Sequence, residues 1–163
     1  MSDKIEIANR FFGHYASAVT DSEAAYKGMH QYLDDNVTFS DMAYDIKGKQ
    51  VFAMWHWFCI KPVRVIFDPA KTKEVDDVVI LTYRAQYLLE DKPIDYEITA
   101  HLTIKDSKII HHKDEADMME WAKQAKGTFV AMIAWTPFFK KELRHTAKER
   151  LDAFIEKNPV YKD

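Results

Sequence analysis

Three side chains in this sequence have the types and spacing needed to pass a proton among them. Asp41 ends the β-leaning stretch Val37 to Asp41, and His112 and Asp114 sit two apart in the run Ile109 to Asp114. Carboxylates and imidazoles are the usual general acids and bases of enzymes. Alternation along a strand puts His112 and Asp114 on one face and His111 on the other. Two adjacent histidines pointing apart do not easily grip one ion, so no metal is expected. The sequence has no P-loop, dinucleotide fingerprint, HExxH or nucleophile elbow, and no cofactor is expected. Each residue also has a purely structural use. Asp41 can cap the turn before Met42, His112 can be a hydrogen-bonded core histidine, and Asp114 can cap a helix beginning near Ala116.

The elements that must hold these residues can be traced by periodicity. From Ile5 to Val19, apolar residues recur at three and four, the stripe of an amphipathic helix. Thr20-Asp21-Ser22-Glu23 has the form of a capping box and predicts a second helix to about Leu33. After the short strand ending at Asp41, Gly48 precedes a strongly aromatic third helix, Gln50 to Cys59, which carries Trp57. Beyond Pro62 the period becomes two. Strands are predicted at Val63 to Asp68, Val78 to Leu89, Ile94 to Lys105 and Ile109 to Asp114, with hairpin-sized spacers at Glu90 to Pro93 and Asp106 to Lys108. Helices first and a meander last predict an α+β domain whose helices cover one face of a curved antiparallel sheet.

The chain then returns to helical periodicity from Ala116 to Lys126, with Gly127 as its expected C-terminal cap. An almost wholly apolar run, Thr128 to Phe139, follows; it is too short to span a bilayer. Thr136 as N-cap and Pro137 at the first helical position predict a last helix with Phe139, Leu143, Ala147, Leu151 and Phe154 on one stripe. The expected division is therefore residues 1–127 as one domain, with residues 128–163 as an apolar segment and amphipathic helix packed on that domain or on a dimer partner. Leaving the apolar run in water would cost several kcal/mol at roughly 25 cal/mol per Å², so it is expected to fold over the mouth or flank of the domain.

A formal net charge of −3, with both signs spread along the chain, offers no drive toward nucleic acid. The single cysteine, Cys59, excludes an intrachain disulfide. The N-terminus lacks the form of a secretory signal, and a cytoplasmic setting is the default expectation.

The helix order, the acid ending the first strand, the glycine before the third helix and the run Ile109 to Asp117 together resemble the cone-shaped family of nuclear transport factor 2, ketosteroid isomerase and SnoaL-like polyketide cyclases. The likeness covers roughly Ile5 to Trp121. In the isomerase branch the acid at the position of Asp41 is the general base, assisted by two oxyanion donors, a tyrosine on the first helix and a protonated aspartic acid on a later strand. Registering Lys92-Pro93 with that branch's proline-containing turn puts Ala100 where the second donor belongs, and Phe11, Phe12 or Gly13 near the first. Efficient ketosteroid isomerisation is therefore not expected. Tyr15, one turn away, is either a displaced donor or a core tyrosine.

Setting Ala100 inward also turns Tyr96, Ile98 and Leu102 inward, with Tyr83, Ala85 and Tyr87 on the preceding strand and His112 and Asp114 on the last. The implied pocket is apolar and aromatic, with one cluster of Asp41, His112 and Asp114, and with Tyr15, Trp57, Tyr83, Tyr87 and Tyr96 as ligand-binding candidates. The leading expectation is a small hydrophobic-ligand-binding protein of isomerase or cyclase type, with Asp41 as base and His112 as acid or as orienter of Asp41. The alternative is a non-catalytic binding or assembly module whose cone is filled by its own side chains. A homodimer is expected, formed through the outer sheet face near His101. Membrane contact through the C-terminal helix ranks last, because acidic residues dilute its positive charge.

Overall fold

The computed structural model describes residues 2–163, and Phe129 through its backbone alone. Met1, part of the expected domain 1–127, lies outside the described residues. Helix α1 (Asp3–Ala16) is capped by the Ser2 side chain and buries Ala8, Phe12 and Tyr15 of the expected stripe together with Phe11, but it ends before Val19, which is exposed. A single 3-10 turn leads to α2 (Ser22–His30). Its N-cap is Asp21, whose carboxylate accepts from Ala24 N at 3.0 Å, and the expected capping box on Thr20 does not form. Thr20 instead closes the preceding 3-10 turn, leaving the stronger acceptor to start the helix.

Strand β1 (Leu33–Ser40) begins earlier than its apolar pattern suggested and pairs with a short β2 (Asp45–Lys47). Gly48 (φ 58°, ψ −132°) then turns the chain into α3 (Lys49–Ile60) through a backbone region that essentially only glycine enters. The sheet continues with β3 (Arg64–Phe67), β4 (Lys73–Val75), β5 (Val78–Leu89), β6 (Lys92–Lys105) and β7 (Lys108–Ala116), in the order β2-β1-β7-β6-β5-β3 with β4 beside β5. It is a mixed α+β fold around a curved, unclosed seven-stranded sheet. All pairings are antiparallel except β1 with β7, which run parallel.

Three hairpins turn on Asp76-Asp77, Glu90-Asp91 and Asp106-Ser107, with φ between 50° and 66° at every one of these residues. Positive φ at both central positions is the type I′ geometry, whose twist matches that of the flanking strands. None of the three uses glycine; the two read from the sequence, at Glu90 to Pro93 and Asp106 to Lys108, are two residues long rather than four and three, and the turn at Asp76-Asp77 was not among those expected.

The inward faces follow the expected alternation, except that a register irregularity opposite Thr103 and Ile104 leaves Ile109 and His112 of β7, three residues apart, both buried. On β5 these are Val79, Leu81, Tyr83 and Ala85; on β6, Ile94, Ile98, Ala100, Leu102 and Ile104; on β7, Ile109, His112 and Asp114. The apolar ones, Ile94 apart, pack with Phe11 and Phe12 of α1, Met29 of α2 and Val51, Met54 and Trp55 of α3 in one core.

Beyond the sheet come α4 (Met118–Lys126), the four-residue α5 (Thr128–Ala131) and α6 (Pro137–Lys157). Thr136 caps α6 by accepting from Phe139 N, with Pro137 at the first position. Ala147 and Leu151 of α6 join the main core beside α3. The apolar run differs from its expectation. Ala131 and Ala134 are buried, yet Met132, Ile133, Trp135 and Phe138 are 65, 41, 66 and 70% exposed in the single chain. A one-turn helix followed by a tight turn can present only one side to the domain, and the small alanines occupy it. No helix among the described residues is long and apolar enough to cross a membrane.

Candidate functional site

The wide end of the cone holds a cavity of about 570 Å³, walled by the sheet, α3, the β1–β2 turn and the inner side of α6. Tyr15, Trp57, Tyr83, Tyr87 and Tyr96 all line it, and so do Asp41 and Asp114. The cone is thus not filled by its own side chains. His112 does not line it: its side chain has no exposure at all.

Asp41 follows β1 directly. Ser40 is in register with Lys113, so one further step brings Asp41 beside Asp114 on the same face of the parallel pair. Its Oδ1 accepts from Ala43 N at 2.7 Å and Tyr44 N at 2.6 Å, so the residue does close the turn before Met42. Both bonds fall on one oxygen. Oδ2 has no hydrogen-bond partner among the described residues and belongs to a residue lining the cavity. Burial pushes the Asp41 carboxyl up to about 6, against the pull of those two backbone N–H groups, and the neighbouring Asp114 pushes the same way. A carboxylate there can take up or release a proton close to neutral pH.

Asp114 anchors a buried polar chain. The Tyr83 hydroxyl donates to Oδ2 at 2.7 Å, and His112 Nε2 lies 2.6 Å from Oδ1. His112 Nδ1 has no partner among the described residues. A bare acceptor costs less than a buried unpaired N–H, so the network assigns the proton to Nε2, which then donates to Asp114. The imidazole stacks on Trp55 with centroids 5.4 Å apart and meets the edges of Phe11, Phe12 and Phe39. This corrects the expectation that His112 faces the ligand or orients Asp41. Strand alternation fixed its side of the sheet but not its depth, and α1 and α3 cover it.

The Tyr15 hydroxyl has no hydrogen-bond partner among the described residues, and burial raises its pKa far enough that it stays a donor. Tyr87 accepts from Trp121 Nε1 at 2.8 Å, which ties α4 to the cavity wall. Ala100 is fully buried and pairs across the sheet with Leu81 and Asp114. It supplies no donor, but the carboxyl of Asp114 occupies the neighbouring strand at that level.

Sequence reasoning missed several lining residues. Lys61, at the end of α3, and Leu143, Thr146 and Arg150, on α6, also face the cavity. The α6 stripe signalled burial, but nothing in it pointed toward a pocket mouth. Among the described residues, no three His, Cys, Asp or Glu side chains cluster as a metal site.

No protein-family model matches the chain, and no curated protein matches its sequence. Solved structures do resemble it. A protein assigned as a SnoaL-like polyketide cyclase from Jannaschia superposes with a TM-score of 0.61 at 14% identity, over 76% of this chain and 91% of that one. An epoxide hydrolase from M. tuberculosis gives 0.57 at 12% identity, over 78% and 96%. A hypothetical protein with a ketosteroid isomerase-like fold from Catenulispora acidiphila gives 0.56 at 16% identity, over 71% and 91%. The fold is nuclear transport factor 2-like, the fold of these solved structures.

Proposed function

We propose that this protein binds a small hydrophobic molecule in the cone and transfers a proton on it, with Asp41 as the base. The observation that carries the reading is a carboxyl that uses only one oxygen to hold its turn, lines an open aromatic cavity and is pushed up to about 6 by burial. A proton acidified by an adjacent carbonyl would pass to Asp41, and the Tyr15 hydroxyl would donate to the oxygen that gains charge. Asp114, held by Tyr83 and His112, keeps a negative neighbour beside Asp41 and so keeps it basic. His112 is a positioning residue for Asp114. The missing donor at Ala100 argues against efficient ketosteroid isomerisation and toward a different carbonyl compound.

The test is exchange of the α-protons of tetralone, a bicyclic ketone of suitable size, in deuterated buffer followed by NMR. The native protein is expected to accelerate exchange, and Asp41→Asn to slow it by at least about 100-fold, the lower end for a general base. Acceleration that survives Asp41→Asn, or no acceleration by the native protein, would overturn the reading.

A further inference from the structure

From the charges at the cavity rim we infer that the ligand is an amphipathic organic acid, with its apolar body among the aromatic walls and its oxyanion head between Lys61 and Arg150. The inference rests on the cavity reading above and narrows its ligand class.

Lys61 ends α3 and Arg150 lies on α6, and both line the cavity. The Lys61 ammonium sits 3.5 Å from the centroid of the Trp57 ring and 5.3 Å from that of Phe58. Among the described residues neither cation lies within 4.0 Å of a carboxylate. Most cations of such a chain are solvated, and Arg150 alone would carry no message. Lys61 is different, because it is half-buried against two aromatic faces. Burial first, and Arg150 second, bring its pKa down to about 8. Arg150 is exposed, but it lines the same cavity as the half-buried Lys61, and neither cation has a counter-ion among the described residues, so an oxyanion held between them would offset the cost of burying Lys61 beside a second positive charge.

The other charges do not fill that role. Asp41 is held in its turn and Asp114 in its buried chain. Glu142 also lines the cavity, but it lies two turns from Arg150 on the same helix, about 12 Å along the axis. Glu90 and Lys126 complete the charged lining and, like Glu142, belong to exposed residues. The apolar remainder of the lining leaves room for a body of two or three fused rings or a folded chain within about 570 Å³. An acid of that shape would place its head at the rim and its reactive carbon nearer Asp41.

Two fluorescent probes of nearly equal apolar body separate the ideas: anilinonaphthalene sulfonate, which carries an anionic head, and N-phenylnaphthylamine, which does not. The native protein is expected to bind the sulfonate at least about tenfold more tightly. The double variant Lys61→Gln, Arg150→Gln should lose that preference while its affinity for the neutral probe stays within about twofold; Lys61→Arg should keep the preference. A further variant, Trp135→Ser with Phe138→Ser, removes exposed aromatic surface outside the cavity and should leave both affinities unchanged. Equal binding of the two probes by the native protein, or a preference that survives loss of both cations, would overturn the anion inference while leaving the cavity reading intact. Failure of both probes to bind, or loss of binding in the Trp135/Phe138 variant, would remove the cavity reading and this inference with it.

Discussion

The interior of the cone and the joint between α5 and α6 depart from ordinary segregation in opposite directions. In the cone, polar groups lie inside: His112 and Asp114 are 2 and 9% exposed. At the joint, apolar groups lie outside, with Trp135 and Phe138 about two-thirds exposed. The inside departure is compensated at Asp114, which receives two short hydrogen bonds, one of them from His112, while His112 Nδ1 and Trp55 Nε1 beside it have no partner among the described residues. The outside departure has no compensation within the single chain. Buried polarity of this kind is held in place by the sheet, whose register sets each side chain, whereas the exposed apolar side chains lie in the tight turn between α5 and α6 and on the first turn of α6, which show only one side to the domain. Polar groups gathered by a rigid scaffold mark the site, and position along the sequence does not.

The sharpest test of this contrast lies at the boundary between the two regions. Leu151 belongs to the same C-terminal stretch as Trp135 but is 2% exposed and part of the main core. Leu151→Ala is expected to destabilise the protein by about 3 kcal/mol in chemical denaturation, within the range for buried leucine truncations. A loss below about 1 kcal/mol would show α6 resting loosely on the cone and would move the boundary to the end of α4.

Next in size is the buried polar chain. His112→Leu preserves bulk among the surrounding rings but takes one donor from the Asp114 carboxylate. A loss of about 2 kcal/mol is expected, the cost of leaving a buried acceptor short of a bond to a charged group. A neutral or stabilising outcome in thermal melting would mean that the histidine is ordinary core filling and that the cone's polarity is not held by mutual hydrogen bonds.

Much of this architecture was legible in the sequence, and the parts that were not share a cause. Period-two alternation located the inward faces of β5, β6 and β7, because each side of a strand is fixed by its neighbours in the chain. The acid ending β1 stood out for the same local reason. The depth of His112 was hidden, since it depends on Phe11, Phe12 and Trp55 arriving from distant helices. That Lys61 and Arg150 line one cavity was hidden too, because they come from the end of α3 and from α6, far apart in the sequence. Strand β2 is three residues long, and β4 likewise, with too few positions for a pattern. The type I′ turns escaped notice because Asp and Ser stand where Asn-Gly would have signalled them.

A smaller effect is expected at Asp41, and its sign runs against intuition. In the folded protein burial pushes its carboxyl up to about 6, above the ordinary 3.8 that applies to the unfolded chain. Between those values the native state binds more protons than the unfolded state, so stability falls as pH rises from about 4 to about 6 and stays lower beyond. The full gap corresponds to a ceiling of about 3 kcal/mol, and access to the cavity's solvent reduces it. Asp41→Asn keeps an oxygen for the Ala43 and Tyr44 N–H groups and removes the charge. It should stabilise the protein by about 1 kcal/mol at pH 7 and hardly at all at pH 4. Equal effects at the two pH values would show that Asp41 is ordinarily solvated, and Asp114 alone would remain as a buried carboxylate of the cone.

The smallest effect is expected where the apolar side chains are most exposed. Trp135 donates its indole N–H to Met132 O at 3.0 Å, a local bond across the tight turn, and Phe138 projects from the first turn of α6. Because their rings already meet solvent in the folded chain, removing them gives up little burial, and surface substitutions of this kind usually stay within about 0.5 kcal/mol. Trp135→Ala combined with Phe138→Ala should therefore shift the melting temperature by no more than about 3 °C at dilute protein concentration. The comparison with Leu151 is direct, since all three residues are apolar and share one stretch of chain. A shift of 6 °C or more, vanishing on dilution of the native protein, would mean that another copy covers the joint in solution, and the contrast between a compensated interior and an uncompensated exterior would then hold only for the isolated chain.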